Sequence, residues 1–99
     1  MVANRVTLSG EISALEPLRH TPAGLPLLRM QVSHASTQQE AGRERKVNCV
    51  VEAVAMGDIA NRMSSVPTGA SVSIEGFLGN KFRTGAQLVL HITNIEIKS

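Results

Sequence analysis

The sequence predicts an all-β fold, a five-stranded barrel with one short helix between the third and fourth strands. Apolar residues alternate with polar ones in five separate segments, which is typical of antiparallel strands with one buried face. One further segment has apolar residues at helical spacing and ends at a proline. The chain has 99 residues, a length that suits one domain, and we expect that domain to span residues 1–99.

The five predicted strands are defined by their apolar faces. In chain order these faces are Val6, Leu8 and Ile12; Leu28, Met30 and Val32; Val47, Cys49, Val51 and Ala53; Val72, Ile74 and Leu78; and Leu88, Leu90 and Ile92. On this pattern Cys49 is a small buried hydrophobe. Val50 and Val54 point outwards and are candidates for a subunit interface.

Two features predict departures from regular strands. Late in the last strand the apolar set continues at Ile95 and Ile97, one residue out of step, so we expect a bulge near Thr93. Gly10 and Gly76 lie inside otherwise regular strands, where a glycine marks either a bend or a close approach of another backbone.

The predicted helix follows the third strand. Asp58 is its expected N-cap, and Pro67 ends it after apolar residues at helical spacing, Ile59, Met63 and Val66. Three strands, a helix and two strands is the order of the OB-fold, which binds oligonucleotides on the face of its second and third strands and through two of its loops. OB barrels also bind sugars and proteins, so the fold alone does not identify the ligand.

Three long connections are predicted, over residues 14–26, 35–45 and 79–86. They exceed what closing a barrel requires, so we expect function to reside in them. The sequence contains no phosphate-loop, dinucleotide-binding, zinc-protease or Cys-x-x-Cys motif, and its 3 histidines are scattered. We therefore expect a protein that is not an enzyme and that has no cofactor and no metal site.

Apolar runs of signal-peptide or membrane-spanning length do not occur in the sequence. The chain has 1 cysteine, which suits a reducing compartment. A cytoplasmic protein that does not contact the membrane is therefore expected.

Basic residues concentrate in two of the predicted connections. The second ends with Arg43, Arg45 and Lys46, and in the third Lys81 and Arg83 flank the aromatic ring of Phe82. Together with Arg29 on the second strand, these residues are expected to line one groove that suits a nucleic-acid backbone, with the Phe82 ring available to stack on a base. Two glutamates, Glu40 and Glu44, partly neutralise the first cluster, and the exposed ring could equally meet a protein surface.

A set of short motifs spans nearly the whole chain in order. It comprises Asn4-Arg5, Leu8-Ser9-Gly10, Pro17-Leu18-Arg19, Gly24-Leu25-Pro26, Glu40-Ala41-Gly42, Cys49, Gly76-Phe77, Gly85 and Val89-Leu90-His91. On these motifs the sequence resembles the family of primosomal replication protein N (PriB), which is related to the bacterial single-stranded DNA-binding proteins. Those relatives characteristically carry a disordered acidic tail, whereas this chain ends at Ile97-Lys98-Ser99 and looks like a core domain without it.

The resemblance implies an OB-fold homodimer that binds single-stranded DNA and contacts the restart helicase PriA and the protein DnaT. The family's basic positions fall on Lys81, Arg83, Arg45 and His20, while Arg19 and Arg29 are peripheral candidates. Two aromatic positions of the family fall on Asn48 and Arg43, and two basic ones fall on Ala35 and near Gln87. We therefore expect Asn48 to lie on the DNA track, and binding to be weaker than in an aromatic-rich relative and to act mainly through phosphates.

Three other functions compete with this reading. A protein–protein adaptor for the primosome helicase would use the same loops, with only weak, incidental binding of nucleic acid. A generic RNA-binding OB domain would prefer RNA to DNA of equal length. An oligosaccharide-binding barrel is remoter, because such sites usually require aromatic faces and the chain has 2 Phe, 0 Trp and 0 Tyr.

Overall fold

The computed structural model describes residues 2–98 and consists of β-strands with one short helix. The elements are β1 (Val6–Leu15), β2 (Arg19–His20), β3 (Pro26–Glu40), β4 (Arg43–Met56), α1 (Asp58–Met63), β5 (Ser71–Asn80) and β6 (Leu88–Ile97). Met1 and Ser99, the ends of the expected domain, lie outside the described residues. Within residues 2–98, no helix has the length and apolar character that crossing a membrane would require.

The strands form one sheet that closes into a barrel. Their order is β1-β5-β6-β4-β3-β2, and β1 also pairs with β3, which closes the barrel on itself. Neighbouring strands are antiparallel except β4 and β6, which run parallel and pair only at Ala53 with Leu90 and at Val54 with His91. The predicted five-stranded OB barrel with a helix between its third and fourth long strands is confirmed.

Closure depends on β1 changing partners halfway along. Its first half pairs with β5 from Val6 to Glu11, and its second half pairs with β3 from Glu11 to Leu15. At the changeover a Cβ on Gly10 would collide with the carbonyl oxygen of Ser33. The predicted close approach at Gly10 is therefore present, because two backbones meet where a side chain would not fit.

The last strand contains the predicted bulge. Glu75 pairs with Asn94 and Gly76 pairs with Ile92, so Thr93 is the extra residue, and its hydroxyl donates to the Glu75 carbonyl at 3.1 Å. A Cβ on Gly76 would collide with the carbonyl oxygen of His91. The bulge turns both Ile92 and Ile95 towards the core, which explains why the alternation of apolar residues shifts by one position between them.

An aliphatic core fills the barrel, and α1 closes one end of it. Ala60 and Met63 of the helix are 0% exposed and belong to the same cluster as Ile12, Val32 and Ile74. The helix begins one residue earlier than expected, because Gly57 occupies the N-cap position with φ 77° and Asp58 is already in the first turn, without a capping hydrogen bond from its side chain. It also ends earlier, at Met63, so Val66 lies beyond it and Pro67 is not what stops it.

Two of the three segments that were predicted to be loops contain β-strands instead. Residues 14–26 include the end of β1 and the two-residue strand β2, which pairs with the start of β3. Residues 35–45 are not a loop, because β3 and β4 continue as a hairpin to a turn at Ala41-Gly42. None of residues 34–50 belongs to the core cluster or packs against it. With no buried face there is no apolar alternation in 35–45, so the sequence pattern could not reveal these strands.

Two burial predictions in β4 were also wrong. Cys49 is exposed, because the hairpin has left the barrel at this point and the residue has no core beneath it. Val54 points outwards but is only 5% exposed, and it lies between the directly paired residues Arg29 and His91, so it does not offer an apolar surface to a second subunit. Val50, which is 59% exposed, remains a candidate for such a surface.

The hairpin turn yields a prediction about stability. Ala41 has φ 53° and Gly42 has φ 77°, as the two central residues of a type I′ turn require, and alanine is unfavourable in that conformation. We expect Ala41→Asn to raise the free energy of unfolding by roughly 0.5–1 kcal/mol, because asparagine tolerates positive φ. Chemical denaturation would measure it. The control, Ala35→Asn in the middle of β3, should not stabilise, and an Ala41→Asn protein no more stable than wild type would contradict the assignment.

Candidate nucleic-acid interface

The strand alternation of the hairpin divides its basic residues between two faces. We call the side of β3 and β4 that continues the outside of the barrel the outer face. It carries the directly paired residues Arg29 and Val54, Gln31 and Glu52, Ser33 and Val50, Ala35 and Asn48, and Thr37 and Lys46. Arg43 and Arg45 project from the opposite side, in line with the core residues. The basic residues predicted for the second loop are therefore on a strand and do not share one surface.

The outer face forms a strip along the hairpin with cations at its two ends. Arg29 lies over the barrel and Lys46 lies near the hairpin tip, eight residues further along the paired strand from Val54, or roughly 26 Å at the rise of a β-strand. Asn48 lies between them, two residues from Lys46 and exposed. The structure thus brings Arg29, Lys46 and Asn48 onto one surface.

The connection between β5 and β6 reaches this surface through Lys81. The Lys81 amide donates to the Gln87 carbonyl at 2.8 Å, which closes the base of the connection. The Lys81 Nζ lies 2.7 Å from Glu52 Oε2 on the outer face and 5.6 Å from the centroid of the Phe82 ring. Phe82 is 59% exposed. The tip therefore offers an aromatic ring, but its lysine is already paired with a carboxylate.

Three of the candidate cations have acidic partners. Besides Lys81, Arg45 lies 2.9 Å from Glu40 and Arg19 lies 3.5 Å from Glu16. In the part of the chain that the structure describes, no ion pair involves Arg29, Arg43, Lys46 or Arg83. Exposed ion pairs contribute little to folding stability. The partners instead matter for binding, since each glutamate competes with a phosphate for the same cation.

Arg19 and His20 are separated from the hairpin tip. They form β2, which pairs with Leu27 and Pro26 at the start of β3, at the other end of that strand. From Leu27 to Thr37, the partner of Lys46, the distance along β3 is roughly 33 Å. The two residues could contact only a ligand long enough to run along the whole of β3.

A groove of about 870 Å³ lies beside the hairpin, between it and β1. Residues from both faces of the hairpin line it, among them His34 and Cys49 and the outer-face residue Asn48, together with Ser9 of β1. The His34 ring is held in place, with Nδ1 donating to the Ser9 carbonyl at 2.6 Å and Nε2 2.7 Å from the Ser36 hydroxyl. Across residues 2–98 no three His, Cys, Asp or Glu side chains cluster in a way that could hold a metal ion.

Sequence reasoning missed two features of this region. It did not identify Glu52 as the partner of Lys81, because the two are far apart in sequence and no local pattern connects them. It also overlooked a stacked pair of rings on the outside of the barrel, Phe77 and His91. The outward position of Phe77 in the alternation of its strand was the available signal.

Comparisons with known proteins extend over nearly the whole chain. A family model described as another single-strand binding protein family matches residues 4–94. Replication restart protein PriB of Nitrosomonas europaea is 40% identical over 94 residues, which is 95% of this chain and 87% of that protein. The solved structure of PriB from Ralstonia solanacearum has a TM-score of 0.90 at 30% identity, covering 99% of this chain and 100% of that one. The single-stranded DNA binding protein of Thermus aquaticus shares the fold, with a TM-score of 0.79 at 22% identity over 98% of this chain and 50% of that one.

The Lys81–Glu52 pair yields a prediction about binding. In Glu52→Gln the Lys81 ammonium loses its carboxylate partner and the outer face loses a negative charge. We expect single-stranded DNA to bind about two- to fivefold more tightly at low salt, with the gain shrinking as salt screens the charges. Fluorescence anisotropy of a labelled oligonucleotide would measure it. Asp58→Asn on α1 makes the same change of charge away from the hairpin, and an equal gain there would show that only net charge matters.

Proposed function

The chain belongs to the family of the replication restart protein PriB, and on this basis we propose that it acts in replication restart as a non-catalytic protein that binds single-stranded DNA. The observation that carries the proposal is the outer face of the hairpin, where Arg29 and Lys46 lie on one surface and have no acidic partner within residues 2–98. Unpaired cations spaced along a strand suit the repeating charge of a nucleic-acid backbone.

Each candidate residue has a role in this proposal. Arg29, Lys46 and Arg83 neutralise phosphates directly, while Lys81 does so after exchanging Glu52 for a phosphate. Phe82 stacks on a base at the tip of its connection, and Asn48 lies along the path of the strand. Arg43 and Arg45, on the opposite face, contact DNA that wraps around the hairpin, and Arg19 and His20 contact only the end of a long strand.

Phosphate contacts dominate the proposed binding. They carry no information on base identity, so binding is tolerant of sequence and sensitive to salt. Stacking contributes roughly 1–3 kcal/mol per base where an aromatic ring is available. With 2 Phe and no Trp or Tyr in the chain, few bases can gain that contribution.

The proposal also includes partners and a location. Contacts with the restart helicase PriA and with DnaT, and action in the cytoplasm, are supported by membership of the family alone. A protein that recruits other replication proteins while holding DNA needs surfaces free of DNA. The exposed side of α1, which has no part in the proposed DNA path, is available for this purpose.

We further propose that the protein is a homodimer, and one feature of β1 supports this. The first half of β1 pairs with β5 only, because its pairing with β3 begins at Glu11. On the other edge of residues 6–10 no strand pairs within residues 2–98, although His34 Nδ1 donates to the Ser9 carbonyl there, and an edge without a partner strand readily pairs with another strand. Two copies that join these edges about a twofold axis satisfy both edges at once.

The DNA-binding proposal predicts a specific salt dependence. Log affinity for single-stranded DNA should fall linearly with log salt, and Lys46→Ala should reduce that slope by about 0.7, the contribution of one phosphate contact. Anisotropy titrations over a salt series would measure both slopes. Arg62→Ala in α1 removes one positive charge away from the hairpin and should leave the slope unchanged. If the wild-type protein binds no oligonucleotide even at low salt, the DNA-binding proposal fails and the adaptor function is favoured.

The homodimer predicts a particle of twice the 10.6 kDa chain mass. Sedimentation equilibrium at micromolar concentrations, without DNA, would measure that mass. A proline at Ser9 should weaken the dimer if it removes an N–H from the open edge, and circular dichroism would verify that the variant is folded. A wild-type protein that sediments as a monomer would contradict the proposal.

A further inference from the structure

The outside of the barrel carries a pair of stacked rings that the proposed function does not use. Phe77 of β5 and His91 of β6 are direct partners across the sheet, with ring centroids 4.8 Å apart and ring planes inclined by 5°. Phe77 is 42% exposed. It is one of only two phenylalanines in the chain, and its ring points away from the core.

The ring pair lies in one row with the outer face of the hairpin. Arg29 pairs with Val54, Val54 with His91, and His91 with Phe77, so the row runs from β3 across β4 and β6 to β5. At the usual spacing of strands, its ends are roughly 14 Å apart. Val54, which is 5% exposed, does not protrude from the surface between Arg29 and the two rings. A ligand that contacts Arg29 can therefore continue onto the rings along one surface.

The stacking with His91 covers only part of the Phe77 ring. Gly79, two residues along β5 on the same side, adds no side chain, and a Cβ there would lie 3.0 Å from His91 Nε2. The His91 imidazole therefore lies over Gly79, where a side chain would crowd it. On the side of β1, the nearest charges cancel, since Arg5 is paired with Glu75.

The charge along the row indicates what would cover it. Arg29, at one end, has no acidic partner among the described residues. A planar aromatic surface and an unpaired cation at this separation match the two parts of a nucleotide, a base with a π-face and a phosphate with a negative charge. An apolar protein surface would satisfy the rings but would leave Arg29 uncompensated.

We propose that Phe77 and His91 form a stacking platform for a base of the bound single strand, and that Arg29 holds a neighbouring phosphate. This inference rests on the proposed DNA-binding function and extends its path from the hairpin across β4 and β6 to β5. The platform supplies stacking that Arg43 and Asn48, both without aromatic rings, do not.

A tryptophan at the platform tests the proposal directly, because the chain has 0 Trp and the new residue is the only indole. In Phe77→Trp we expect oligo(dT) to quench the indole fluorescence, with the same midpoint as anisotropy of a labelled oligo(dT). The control is Ile97→Trp, at a residue of β6 that is 49% exposed and lies off the row, where we expect no quenching. In Phe77→Leu, which keeps an apolar side chain without a ring, we expect affinity to fall by about fivefold or more.

Three results would overturn the proposal, and they are distinguishable. If oligo(dT) binds Phe77→Trp without quenching and Phe77→Leu binds as tightly as wild type, the platform fails while the DNA-binding function stands. If the indole signal instead changes with protein concentration in the absence of DNA, the rings lie in a contact between copies of the chain. If wild-type protein binds no labelled oligo(dT), the DNA-binding function fails and the platform fails with it. Unchanged circular dichroism of each variant would show that folding is not the cause.

Discussion

The whole architecture depends on one strand serving two partners. β1 pairs with β5 and then with β3, and the barrel closes only because Gly10 lets the Ser33 backbone approach without a side chain between them. Closure surrounds the aliphatic core and lets α1 cover one end of it. It also determines where β3 leaves β1, at Ser33, and therefore where the hairpin begins to project from the barrel. Every candidate contact on the hairpin is positioned by that point.

The projection of the hairpin has an electrostatic consequence. Because a strand points alternate side chains to opposite sides, a run of neighbouring basic residues cannot form a single patch once it becomes a strand. Lys46 joins Arg29 on one face, while Arg45 is turned to the other and pairs with Glu40. Pairing of Lys81 with Glu52 reduces the free positive charge further. The surface is thus moderately rather than strongly cationic, in agreement with a net charge of +2.

The sequence predicted the barrel strands well because each of them buries one face in the core. Val32 and Ile74 are buried between polar neighbours that are more exposed, and even the bulge at Thr93 was visible as a shift of the apolar alternation by one residue. The projecting part of the hairpin has no buried face, so residues 35–45 show no apolar alternation and were predicted to be a loop. Cys49 was predicted to be buried because it continues the alternation of Val51 and Ala53, but no core lies beneath it. Contacts between distant segments were also beyond the pattern. The Lys81–Glu52 pair and the row that ends at Phe77 depend on the parallel pairing of β4 with β6, which alternation alone does not indicate.

A hairpin without core contacts also divides the molecule mechanically. Its strands are held by backbone hydrogen bonds to each other, so they can open with a free energy well below that of global unfolding. Amide hydrogen exchange will therefore quicken along β4 from Ala53, which is 2% exposed, towards the turn. The protein thus combines a barrel packed around a core with a projecting hairpin that contributes no residue to that core. A ligand that immobilises the hairpin binds less tightly than its contacts alone would allow, because the hairpin loses conformational entropy on binding.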